Sequence, residues 1–156
     1  MEAGSCLIGE RVATIKAGTN PHAVAETETG YVVVGDHQFL RGYTLLLAKR
    51  HDTELHELDE KMRLQFLADM ADVAAAVFRA FKPRKLNYEL LGNLEPHLHW
   101  HLIPRHADDP RPQGPASVID PAVRNAESTK PSQAQLEDLK AKLAAELPSA
   151  MHRLVR

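Results

Sequence analysis

The chain has 156 residues, 44% of them hydrophobic and 26% charged, the balance of one globular domain with a core of its own. Its net charge is −2, from 19 basic and 21 acidic residues, with no outstanding run of Lys or Arg; a broad nucleic-acid or anionic-membrane surface is not expected. A single cysteine excludes internal disulfides and multi-cysteine zinc modules, so the cytoplasm is the expected compartment. No stretch approaches transmembrane length, and the first residues lack the basic start and apolar run of a signal peptide.

The N-terminal third reads as short strands: Arg11 to Lys16 alternates loosely, and Tyr31 to Val34 and Tyr43 to Leu47 are aliphatic runs set off by Gly30, Gly35 and Gly42. Leu55 to Phe81 carries the strongest helical signal, with Leu55, Leu58, Met62, Phe66, Met70, Val73, Val77 and Phe81 at steps of three and four. Asp52 or Thr53 is placed to cap its start, and Pro83 stops it; the Met and Phe residues belong to the core. Lys85 to Leu91 reads as a strand, turning at Gly92-Asn93 towards a further strand from His97 to Pro104. Five of the ten prolines fall between Pro110 and Pro131, which predicts a long loop over residues 106–131, a lid, an arm onto a partner or simply a mobile segment. Ser132 and Gln135 form a capping-box pattern ahead of a helix bearing Leu136, Leu139, Leu143 and Leu147, stopped by Pro148. The layout is α+β, an antiparallel sheet packed by amphipathic helices. It divides into residues 1–105, the loop 106–131 and a C-terminal segment 132–156 on the same domain.

Chemistry concentrates in one strand. With a period of two, His97, His99 and His101 share one face, and Leu98, Trp100 and Leu102 the other. Three charged imidazoles so close would repel, so some must titrate low or pair with an anion such as phosphate. Surface histidines, a metal site and phosphoryl-transfer catalysis with an imidazole nucleophile all fit that pattern, and spacing alone does not choose between the last two. No Gly-rich phosphate loop with its Lys occurs, which excludes a P-loop NTPase.

His97-Leu98-His99-Trp100-His101-Leu102-Ile103 resembles the His-x-His-x-His signature of the histidine-triad (HIT) superfamily of nucleotide hydrolases and transferases. The strand ending Ala48-Lys49-Arg50-His51, the following helix, the Asn87 strand and the Gly92-Asn93 turn come in that family's order, covering residues 6 to 105. The resemblance implies a HIT-like fold that pairs as a homodimer. It implies that His99 attacks the α-phosphorus of a nucleotide substrate, that His97 holds the nucleophile's orientation and tautomer, and that His101 bonds phosphate oxygens or the leaving group. Asn87 and Asn93 fall where amide side chains lie near the phosphates, and Asp36 where an acid binds ribose; as a turn former after Gly35, Asp36 also has a plain structural reading.

The family's structural zinc uses an N-terminal Cys-x-x-Cys, the histidine after Lys-Arg and the first triad histidine. Here Cys6-Leu7-Ile8-Gly9 lacks the second cysteine; Cys6, His51 and His97 alone make a poor structural site, so no zinc and no cofactor is expected. A third histidine at His101 points to a hydrolase, with diadenosine polyphosphates, adenosine phosphoramidates and nucleotidyl sulfates as candidate substrates and a nucleotidyl-histidine intermediate. Two alternatives stand beside it: a nucleotide-binding interaction protein with vestigial hydrolysis, and a metal-dependent enzyme using His97, His99 and His101 as ligands.

Overall fold

The computed structural model describes residues 6–155. Its framework is a six-stranded sheet of antiparallel pairs in the order β4-β5-β3-β2-β1-β6. The strands are β1 (Ala23–Glu26), β2 (Gly30–Val34), β3 (Thr44–Ala48), β4 (Lys85–Leu90), β5 (His99–Arg105) and β6 (His152–Arg153). Helices α2 (Glu60–Phe81) and α4 (Gln133–Glu146) cover one face of the sheet and α1 (Leu7–Lys16) the other; α3 (Pro121–Arg124) is a single turn in the connector after β5. The α+β expectation holds.

The apolar stripe read from Leu55 to Phe81 is the heart of the core. Leu58, Phe66, Val73, Val77 and Phe81 are buried in it, with Leu55, Met62 and Met70 against its edge, packed on Val32, Leu46, Leu98 and Leu102. The helix itself begins later than the stripe: Leu55–Glu57 is a 3-10 turn, and Leu58 is extended at ψ 142°. Asp59 is therefore the cap, accepting from the Met62 N–H at 2.9 Å, rather than Asp52 or Thr53. The capping box of Ser132 and Gln135 forms as expected. At the other end of α4 the Arg153 guanidinium donates to the carbonyls of Ala144, Leu147, Pro148 and Met151, satisfying groups a helix end leaves open.

Residues 11–16 are helical, not a strand. Ile8, Val12 and Ile15 lie four and three apart and are all buried, while Cys6 caps the helix through its sulfur, which accepts from Gly9 N–H. Prolines keep the connector 106–131 free of long elements, but single turns form at Ala116–Val118, Pro121–Arg124 and Glu127–Thr129. Pro121 sits in the first turn of α3, where its missing N–H costs nothing, and Asp120 caps it. The connector folds back on its own chain. Arg105, 1% exposed, donates to the carbonyls of Gly114, Pro110 and Arg111 and to the carboxylate of Asp109, while Ala116 and Ile119 pack on Leu40 and Ile103.

Candidate active site

Register places the triad. On the α1 face of the sheet, His101 lies opposite Leu45 and His99 opposite Leu47, with Trp100 opposite Leu46 on the other face. Trp100 packs against Phe66 of α2, and His99 and His101 sit beneath α1 at 4.7 Å between ring centroids. The predicted alternation of faces is present from His99 to Leu102; β5 itself runs from His99 to Arg105, so His97 lies ahead of the strand rather than in it.

The three imidazoles do different things. His99 brings Nδ1 within 2.6 Å of the His97 carbonyl oxygen. A carbonyl can only accept, so in the neutral ring Nδ1 carries the proton and Nε2 the lone pair. His101 Nδ1 meets the Tyr43 hydroxyl at 2.6 Å. Burial, helped by His99 and Arg124, pushes the His101 pKa down to about 4, and burial pushes the Tyr43 hydroxyl well above its ordinary range. Both are therefore neutral near pH 7.

The His97 ring does not join them. Its Nε2–H donates to the Ala48 carbonyl at 2.9 Å, and its Nδ1 faces the Cys6 sulfur at 3.4 Å; burial lowers its pKa. The hold on His99 comes from the backbone carbonyl of His97 and not from its side chain. The triad thus does not converge as a three-imidazole ligand set; among the described residues the one cluster of metal-donor atoms is Cys6, His51 and His97.

The remaining sequence candidates divide. Asp36 lines the same cavity as His99 and His101, its carboxylate gripped by both terminal nitrogens of Arg11 with His22 at 3.8 Å. Asn87 lies opposite Ile103, one inward-facing position beyond the Glu89–His101 pair, and its buried Oδ1 has no protein partner. Asn93 is exposed and lines a separate hollow with Thr53, Glu54 and Leu98. Glu95, which is not among the sequence candidates, also faces the site: its Oε2 accepts from the Leu7 N–H at 2.9 Å, docking the start of α1 beside His99.

Sequence reasoning passed over Tyr43 and Arg11. The Tyr43 ring is seated against Gly35. A Cβ on Gly35 would lie 2.4 Å from its ring, and Gly42, at φ +90°, has no room for one against Phe81. Its signal in the sequence was its place two residues before Leu45, hence on the histidine face of β3.

The HIT domain profile matches residues 18–108. The chain belongs to the HIT domain family. It is 30% identical over 118 residues to "Protein hit" of Bacillus subtilis, spanning 64% of this chain and 81% of that one. In fold it is similar to a histidine triad protein of Marinobacter aquaeolei (TM-score 0.71, 24% identity, 92% of this chain and 97% of that one). A diadenosine triphosphate hydrolase of Plasmodium falciparum also shares the fold (TM-score 0.59, 16% identity, 80% and 75% covered).

The zinc that many HIT proteins hold can be tested on this geometry. Cys6 Sγ lies 3.4 Å from His97 Nδ1 and 3.7 Å from His51 Nδ1, so three soft donors of the right kind converge. The fourth corner would fall to position 9, which is Gly9, whose N–H donates to the Cys6 sulfur. The set is one protein ligand short of a closed structural zinc site. Asn125, which also lines the cavity of His99 and His101, and Arg124, which lines an adjoining hollow shared with His101, lie in the connector beyond the HIT match.

Proposed function

We propose that this HIT protein is a nucleotide hydrolase that cleaves a nucleoside 5′-phosphoryl bond through a nucleotidyl-histidine intermediate. The observation that carries this reading is the 2.6 Å bond from His99 Nδ1–H to the His97 carbonyl, which puts the lone pair of the neutral ring on Nε2 in a residue that lines the cavity. In the first step His99 Nε2 attacks the α-phosphorus, the phosphorus–leaving-group bond breaks, and the leaving group departs with its electron pair. In the second, water attacks the same phosphorus, the P–N bond breaks, and the imidazole returns as the nucleoside monophosphate is released.

Charge develops on the phosphoryl oxygens and on the leaving atom. Tyr43, held protonated by burial, donates to His101 Nδ1, which places the ring proton of neutral His101 on Nε2 as a donor to that charge. Asp36 receives ribose hydroxyls with the acceptor positions that Arg11 leaves open.

Release of AMP from diadenosine triphosphate and from adenosine 5′-phosphoramidate, measured in chelator for wild type and His99→Ala, tests the reading. Turnover that survives chelation and is lost in the variant supports it. A folded wild type that binds AMP without turnover supports the nucleotide-binding alternative, and turnover that needs an added divalent metal supports the metal-dependent one.

A homodimer belongs to the same reading. β4 leaves one edge of the sheet unpaired, and α2 exposes Leu64 and Phe78 about four turns apart on one side. Sedimentation at twice the 17.3 kDa chain mass is expected, and a monomer at working concentration contradicts it.

A further inference from the structure

His101 stands between two hollows. The first, about 290 Å³, holds His99, Asp36, Arg11 and Leu45. The second, also about 290 Å³, lies on the far side of His101 and is walled by Phe39, Leu91, Leu94 and Ile103, with Glu89 and Arg124 as its charged groups. His37, Tyr43, His101 and Asn125 line both. His99 lines only the first.

Arg124 is held in place yet has donors to spare. Its Nε–H donates to the Ile119 carbonyl at 3.0 Å, and its own carbonyl accepts from the Thr129 hydroxyl, which His37 contacts in turn. The bond through Nε leaves both terminal NH2 groups free of protein hydrogen bonds, and Arg124 makes no ion pair among the described residues. Its positive field reaches His101 and Tyr43.

We infer that the second hollow is the leaving-group subsite, and that Arg124 recognises a leaving group that is anionic at its scissile end and carries a nucleoside-sized body. The inference rests on the hydrolase reading above. In-line displacement sets the leaving atom opposite the attacking nitrogen, so a group expelled by His99 departs past His101 into this space. A water takes about 30 Å³, so an expelled ammonia would leave the hollow filled with solvent, whereas a nucleotide occupies it. The free guanidinium donors suit phosphate oxygens, and the apolar walls suit a base. Because Arg124 and Asn125 belong to the connector, leaving-group preference is set by residues outside the HIT match.

The test compares kcat/KM for diadenosine triphosphate, which expels ADP, with that for adenosine 5′-phosphoramidate, which expels ammonia. Wild type, Arg124→Gln and Arg124→Lys are run together, with melting curves to establish folding. The expected result is a ratio that falls at least tenfold in Arg124→Gln and recovers in part in Arg124→Lys. A ratio within twofold of wild type in a folded Arg124→Gln overturns the subsite while leaving the hydrolase reading intact. A wild type that hydrolyses neither substrate overturns both.

Discussion

Replacing Tyr43 with Phe removes one hydroxyl and keeps the ring that fills the space beside Gly35. The lost bond is the 2.6 Å contact to His101 Nδ1, made by two groups that burial keeps neutral. A neutral hydrogen bond of this kind contributes about 1 kcal/mol net, and leaving its partner buried and unpaired costs about 1–3 kcal/mol. If that partner acts in the transition state, about 1–2 kcal/mol appears as a 5- to 30-fold loss of rate. Steady-state kinetics of Tyr43→Phe should show the loss in kcat with KM within about twofold, because Tyr43 acts through His101 and not on the bound ground state. Nitrogen NMR of His101 should show the ring proton on Nε2 in wild type and a mixture of tautomers in the variant. An unchanged kcat in a folded Tyr43→Phe, or an unchanged tautomer, refutes the positioning role.

Two stability predictions follow from burial. His101 has its pKa depressed from 6.5 to about 4, so above pH 6.5 both folded and unfolded chains carry it neutral. As pH falls from 6.5 towards 4 only the unfolded chain gains the proton, and unfolding becomes easier by up to roughly 3 kcal/mol from this residue. His22, lowered mainly by burial, acts in the same direction. Urea unfolding at pH 7 and pH 5 should show the loss, which His101→Gln should reduce; equal slopes against pH in the two proteins contradict it. Gly42→Ala combines a φ of +90° with a Cβ set 2.5 Å from the Phe81 ring, and should destabilise by about 3 kcal/mol in thermal or urea unfolding. A melting point equal to wild type contradicts that estimate.

Period was the most legible property of this sequence. The stripe from Leu55 to Phe81 and the alternation from His99 to Leu102 each depend on burial of one face, and both survive in the fold. What failed depended on a local exception. Leu58 leaves helical geometry to enter the core, which moved the cap to Asp59, and α1 was hidden because its cap is a cysteine sulfur. The connector's proline spacing forbade long helices, but its order comes from Arg105, whose guanidinium gathers carbonyls several residues away.

The site followed the same division. Strand period made His99 and His101 readable, and they meet as expected. Asp36 and Asn93 both lie outside the strands, where the side chain's direction depends on local turn geometry: Asp36 joins the cavity and Asn93 faces another hollow. Which atom of a residue acts is a further step beyond sequence: at position 97 the carbonyl meets His99 and the ring meets Cys6.

In the proposed reaction His99 Nε2 becomes covalently bonded to phosphorus. Rapid quenching of wild type during turnover of diadenosine triphosphate, followed by mass analysis of its peptides, measures this directly. The expected result is an adenylyl group on His99 that forms before AMP is released and is absent from His99→Ala. An adduct on any other residue, or turnover that persists in His99→Ala with no adduct at all, contradicts it.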